Sequence, residues 1–270
     1  DGHGNILSFN SLEFPLMLPT VPAKLRDEFA GRPRETWPDP IRARLDADLG
    51  TFDFVFTNPP FGAKIPIDDA DILRQFDLGH RWSQDSDGRW VRSGELQSRV
   101  APEVLFIERC VQWVKPGTGK VAIVLPDGIL GNPDAESIRA WILDHCQVLA
   151  SVDLPVEAFL PQVGVQASLL FLRRKSQAER DVEALGHRAG YDVFMAIAET
   201  VGHDRRGNDL YVRDADGAEL IYTVEREVLR RRARRNVVQT VTTRERKLDD
   251  DLPRIAEAYR EYCVAGQVTE

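Results

Sequence analysis

The chain is short of several things at once. Three cysteines in 270 residues, Cys110, Cys146 and Cys263, are too few and too widely spaced for a disulfide framework or a metal-ligand pattern. A reduced protein without a metal site follows, with Cys110 and Cys146 in helix-like stretches as core residues. No run approaches the roughly 20 apolar residues that span a bilayer, which excludes a membrane helix. The opening DGHGNILSFNSLEF has none of the charged, apolar and small-residue regions of a secretory signal, so a cytoplasmic location is expected. It also lacks a methionine, and Asp1 reads as a cut end. Positive charge is short too: 35 basic against 43 acidic residues leave a net −8, which argues against unaided nucleic-acid binding.

What is present is the composition of a globular protein, 43% hydrophobic and 29% charged. Between Asp53 and Arg174 strand-like and helix-like stretches alternate, which predicts an α/β sheet. FDFVFT (52–57), KVAIVLP (120–126), VLASVDLP (148–155) and VQASLLFLRR (165–174) read as strands. PEVLFIERCVQWV (102–114) and NPDAESIRAWILDHC (132–146) read as helices packed on them. Residues 62–101 are long and polar, the signature of a functional or disordered loop, with Asp-Gly between Trp82 and Trp90 predicting a small hairpin. Another strand is expected within YDVFMAIAETVG (191–202), and a charged, helical tail beyond it. The chain shows no internal repeat.

The strand FDFVFT ends abruptly on NPPFG (58–62). In open α/β sheets ligands bind beyond the carboxyl ends of strands, which puts Asn58 where chemistry belongs. A plain turn needs Asn, Pro and Gly but no aromatic ring. The full set suits one problem. An exocyclic aromatic amine such as adenine N6 is a poor nucleophile, because its lone pair is delocalised into the ring. Two acceptors aimed at its hydrogens, the Asn58 amide oxygen and the Pro59 carbonyl, draw the nitrogen toward tetrahedral geometry. Pro60 stiffens the turn and offers no competing N–H. Phe61 offers a face for a planar base, and a base inside a duplex reaches such a pocket only by flipping out.

From Asn5 to Arg174 the chain resembles the N6-adenine DNA methyltransferases that use S-adenosylmethionine, above all the modification subunits of type I restriction systems. The resemblance rests on TNPPFG together with GKVAIVLPDGILGN (119–132) and LASVDLPVEAFLPQVGVQASLLFL (149–172). YDVFMAIAETVGHDRRGN (191–208) and DDLPRIAEAYREY (250–262) resemble segments that follow the catalytic domain in those subunits. It implies Asn58, Pro59, Pro60 and Phe61 as the catalytic tetrapeptide, with Asn58 also toward the cofactor. Phe159 is implied as a second contact to the flipped adenine, beside the simpler reading of a core ring beneath a hairpin. Asn10, in ILSFNSLEF, takes the position of a residue that contacts the cofactor's adenine, where the family more often has Asp. His3, in its polar loop, reads as solvent-facing.

The family's glycine-rich cofactor turn is nowhere in the sequence. GTGK (117–120) lies between a helix and the strand it feeds, and is a turn. The resemblance therefore implies part of a class I, Rossmann-like sheet of order 3-2-1-4-5-7-6: the later half, strands 4 to 7, in residues 1–175. Residues 176–270 form an extension with a strand, a basic stretch and a terminal helix. That basic stretch, 225–247, carries nine basic and three acidic side chains. Arg230, Arg231, Arg232, Arg234 and Arg235 are candidates for DNA or partner contact, against the alternative of a solvated helix face. The implied function is methylation of adenine N6 in double-stranded DNA within a restriction-modification system. A specificity subunit or target-recognition domain and a restriction subunit are the implied partners. Methylation of a glutamine amide in a protein, and a non-catalytic DNA-binding or scaffolding module, remain as alternatives.

Overall fold

A computed structural model of the chain describes residues 11–12, 49–62, 65–232 and 235–266, and of residues 229–232 and 235–237 the backbone alone. In chain order the elements are β1 (Phe54–Thr57), α1 (Ala70–Leu73), β2 (His80–Gln84), β3 (Trp90–Leu96), α2 (Pro102–Trp113) and β4 (Lys120–Pro126). There follow α3 (Asp127–Gly131), α4 (Glu136–His145), β5 (Cys146–Leu154), β6 (Ala167–Arg174), α5 (Gln177–Ala184) and β7 (Phe194–Ile197). The long strands β8 (Ile221–Arg232) and β9 (Arg235–Arg246) precede α6 (Leu252–Val264).

The main sheet has the order β1-β4-β6-β5-β7. β1 runs parallel to β4, from Phe54↔Lys120 to Thr57↔Ile123. β6 returns antiparallel on β4's other side, from Lys120↔Arg173 to Pro126↔Ala167. With β1, β4, β5 and β6 as strands 4 to 7, their spatial order is 4-5-7-6, the later half of the class I methyltransferase sheet. β7 adds a strand beyond β5.

β4 has a neighbour on either side and a covered face, so its sequence is nearly continuous in apolar residues. α2 starts on Pro102 and turns Leu105, Ile107, Cys110 and Val111 into the core, where Val121, Ile123, Leu125, Leu170 and Leu172 meet them. Each such side chain, fully buried, contributes about 1.5–3 kcal/mol. The free Cys110 and Cys146 are buried in this core as expected, and burial pushes both thiols up to about 12. Registers place Phe54 and Phe56 on the opposite face, in line with Lys120 and Ala122. There Phe54 is 57% and Phe56 76% exposed, with their rings 6.2 Å apart.

Basic residues close the far end of β6. Arg173 binds Glu179, Arg174 donates to the Gln112 and Val114 carbonyls, and buried Lys175 donates to the Leu143 carbonyl and Glu183. Ser176 and Glu179 then form a reciprocal cap that opens α5. The GTGK segment is a turn, with Gly117 at φ 83° and the Gly119 N–H donating to the Lys115 carbonyl.

Three expectations change. Residues 65–101 are not a loose loop. Asp69 caps α1, and Ile72, Leu73, Phe76 and Leu78 enter the core. The hairpin expected at Asp-Gly is there, as β2 and β3. The basic stretch is not helical: β8 and β9 pair from Ile221↔Arg246 to Arg232↔Arg235 as one long antiparallel hairpin. Val and Thr recur through TVEREV and VVQTVTT, and their strand preference prevails over the helix preference of the arginines. Finally, one small motif does recur. Asp85, Asp204 and Asp214 each accept, through one carboxylate oxygen, the N–H groups two and four residues on. The turn glycines Gly88, Gly207 and Gly217 have φ between 76° and 83°.

The chain forms two compact units. The first runs to Val152 and resumes over Ala167–Met195; the second comprises Asp153–Gln166 and Ala196–Glu270. The boundary expected after residue 175 falls inside the first unit, at the cap of α5.

Candidate active site

β1 stops early. Its last residue, Thr57, pairs with Ile123, while β4 runs on to Pro126 paired, among the described residues, with β6. Residues 58–62 follow the carboxyl end of β1, beyond its pairing with β4. Asn58 is exposed, Pro59 buried, Pro60 exposed, and Phe61 and Gly62 half-buried. Two successive prolines fix two φ angles near −65° and remove two N–H groups, so the turn is stiff. It ends at Gly62, whose φ of 117° favours glycine.

The sequence does not single out the residue that holds this turn. The Gly62 N–H donates to Oε2 of Glu103 at 3.2 Å, across 41 positions. Glu103 lies in the first turn of α2 and is 6% exposed. Its only sequence signal is an acid at a helix start, which complements the helix dipole. Glu108, further along α2, accepts the Asp77 and Leu78 N–H groups, each at 2.9 Å, and the Gln112 amide at 3.1 Å. Burial pushes its carboxyl up to about 7 against those hydrogen bonds.

Residues 58–61 hold no ionisable side chain. What they present is an amide, backbone carbonyls and a ring. That set suits a neutral planar amine and offers no general base.

Phe159 belongs to the second unit, half-buried at the end of the 3-10 turn Val156–Phe159. Asn10 and Arg234 lie outside the described residues. Arg230, Arg231, Arg232 and Arg235 sit at the end of the β8–β9 hairpin away from its base, with backbone alone described. Of the two tryptophans of the 62–101 stretch, Trp82 donates to the Asp77 carbonyl at 3.1 Å. Both line a cavity of about 860 Å³ with Trp141. No helix among the described residues is long and apolar enough to cross a membrane.

Sheet order and strand tip together define a class I methyltransferase fold with an Asn-Pro-Pro-Phe motif. The family model for N-6 DNA methylase matches residues 27–249, and the chain belongs to that family. It is similar to the methylase subunit of the type I restriction enzyme EcoEI from Escherichia coli, 26% identical over 164 residues. The match takes in 60% of this chain and 27% of that protein, so the chain spans about a quarter of its relative's length. Among solved structures it is similar to the methyltransferase subunit of a type I restriction-modification system from Streptococcus thermophilus. There the identity is 21%, with 47% of this chain and 24% of that chain covered and a TM-score of 0.35. The type ISP restriction-modification enzyme LlaBIII, bound to DNA, is 10% identical with a TM-score of 0.41, over 72% of this chain and 12% of that one.

Proposed function

We propose that this chain carries the target-base side of an S-adenosylmethionine-dependent methyltransferase that modifies adenine N6 in double-stranded DNA. The observation that carries this reading is the end of β1: an exposed Asn58 on a stiff double-proline turn, just past the last residue that pairs with β4. In the reaction, the Asn58 amide oxygen and the Pro59 carbonyl accept the two N6 hydrogens and concentrate the lone pair on nitrogen. Phe61 stacks on the flipped base, worth about 1–3 kcal/mol, and Phe159 is the proposed second contact. S-adenosylmethionine supplies an electrophilic methyl carbon when bound, and Asn10 and Asn58 are the proposed contacts to it. The surplus proton passes from N6 to solvent, since residues 58–61 carry no base.

Duplex DNA is the substrate, and the net charge of −8 assigns much of the grip on it to other parts of the assembly. A specificity subunit or target-recognition domain and a restriction subunit are the partners in this reading. Arg230, Arg231, Arg232, Arg234 and Arg235 are proposed phosphate or partner contacts. The name of the EcoEI relative, a methylase subunit of a restriction enzyme, supports this assignment. The test is Asn58→Ala in the full-length protein. Methyl transfer to DNA should fall by roughly 10²- to 10³-fold or more, as for loss of one preorganised polar group, with cofactor affinity nearly unchanged. A variant that keeps most of its activity overturns the role of Asn58.

A further inference from the structure

A carboxylate at 6% exposure is costly to bury, and Glu103 has to be accounted for. Part of the offset is local: an acid in the first turn of a helix is favoured by the peptide dipoles. That explains an acid at the start of α2. It does not explain why Oε2 reaches across 41 positions to one backbone N–H of the catalytic turn. The same helix shows what such a reach does. Glu108 holds the N–H groups of Asp77 and Leu78, and so pins the 3-10 turn Asp77–Gly79 that leads into β2. α2 thus brackets two irregular segments with buried acids, and one of them is the segment that ends the Asn-Pro-Pro-Phe turn.

Gly62 is the place where a bracket matters most. Upstream, Asn58 is anchored by the end of β1, and Pro59 and Pro60 have little torsional freedom. Gly62 is the first residue after them with wide backbone freedom, and it adopts φ 117°. The Glu103 bond is a side-chain tie at that residue, next to Phe61.

We infer that Glu103 is a positioning residue for base capture: by holding the Gly62 N–H it sets the plane of the Phe61 ring on which the flipped base stacks. This rests on the adenine reading given above. Its consequence differs from loss of Asn58. Without Asn58 the chemical step suffers. Without the bracket the base is captured poorly, so apparent affinity for DNA drops while cofactor affinity holds.

The experiment uses the full-length protein as wild type, Glu103→Leu, Glu103→Gln and, as a control on the same helix, Glu108→Gln. Hydrogen exchange of the Gly62 amide reads the bracket directly. Labelled methyl transfer from S-adenosylmethionine into adenine-rich genomic DNA gives KM and kcat. In Glu103→Leu the Gly62 amide should exchange about tenfold faster, as expected for loss of a charge-assisted hydrogen bond, with β4 amides unchanged. KM for DNA should rise by a similar factor, with a smaller change in kcat. Glu103→Gln, which keeps an acceptor oxygen, should recover most of both, and Glu108→Gln should leave Gly62 exchange as in wild type. If Glu103→Leu does not fold, Glu103→Gln carries the test: a partial rise in both readouts supports the inference, and none overturns it. Unchanged Gly62 exchange in a folded Glu103→Leu overturns the bracket, and faster exchange with unaltered KM overturns its role in base capture. A wild-type protein that transfers no methyl to DNA overturns the adenine reading instead, and the exchange comparison then decides the bracket by itself.

Discussion

β1 and β4 lie side by side in parallel register, and both are apolar in sequence, yet they live in different surroundings. β4 has β1 and β6 as neighbours, and its Val121, Ile123 and Leu125 are almost completely buried under α2. Among the described residues β1 has β4 alone, and its phenylalanines face outward. Apolar patterning states that a strand is suited to cover; it does not state what covers it. The two strands also end differently. β4 hands its chain directly to α3, whereas β1 stops three residues short of it and presents a polar, stiff turn. The well-covered strand supplies stability, and its less covered neighbour ends on the turn to which the proposed chemistry is assigned.

The sharpest way to break this comparison is to truncate matched side chains. Ile123→Ala, in β4 at 1% exposure, should lower the free energy of unfolding by about 2–5 kcal/mol. Phe56→Ala, in β1 at 76% exposure, should change it by less than about 1 kcal/mol. Denaturant titrations of both variants measure this, and equal losses would mean that β1 is covered as well as β4.

The cover over β4 carries its own pH signature. Glu108 on α2 has a folded-state pKa of about 7 against 4.5 for the free side chain. A raised carboxyl binds its proton more tightly in the folded state, so its contribution to stability is fully present below pH 4.5. It is lost as pH rises through 7, a change of about 3 kcal/mol by linkage. Thermal or denaturant unfolding between pH 4.5 and 7.5 should show that slope, and Glu108→Gln should flatten it. A slope that survives the substitution would assign it to other groups.

The smallest effect concerns the outer face of β1. An edge with exposed apolar side chains is a template for pairing with another chain. Phe54→Lys with Phe56→Lys should reduce self-association in sedimentation velocity and barely alter the unfolding midpoint. A large loss of stability would show that the phenylalanines pack against something.

Much of the first unit was legible in the sequence because local and global signals agree there. KVAIVLP is apolar throughout and bounded by Gly119 and Asp127, and β4 spans those seven residues. PEVLFIERCVQWV opens on proline and closes at Val114, and α2 fills it but for the last residue. Spacing alone could not give the order 4-5-7-6; that came through family resemblance, since pairing partners are set by long-range contacts. The end of β1 stood out in the sequence because no ordinary turn needs both Asn58 and Phe61. Glu103 did not, because its hydrogen bond to Gly62 spans 41 residues. The long hairpin was hidden for another reason: five arginines within six positions read as a solvated helix, although the flanking valines and threonines favour extended chain.

That hairpin has a consequence for how its length can vary. β8 and β9 have twelve residues each and, among the described residues, pair with one another alone, so the arm is about 40 Å long at roughly 3.4 Å per residue. Shortening each strand by one residue turns every side chain beyond the cut to the other face of the ribbon. Shortening each by two preserves the faces and draws in the end of the arm by about 7 Å. Reach can therefore drift among descendants in even steps, with no repacking elsewhere, while odd steps exchange the two surfaces of the arm at a stroke.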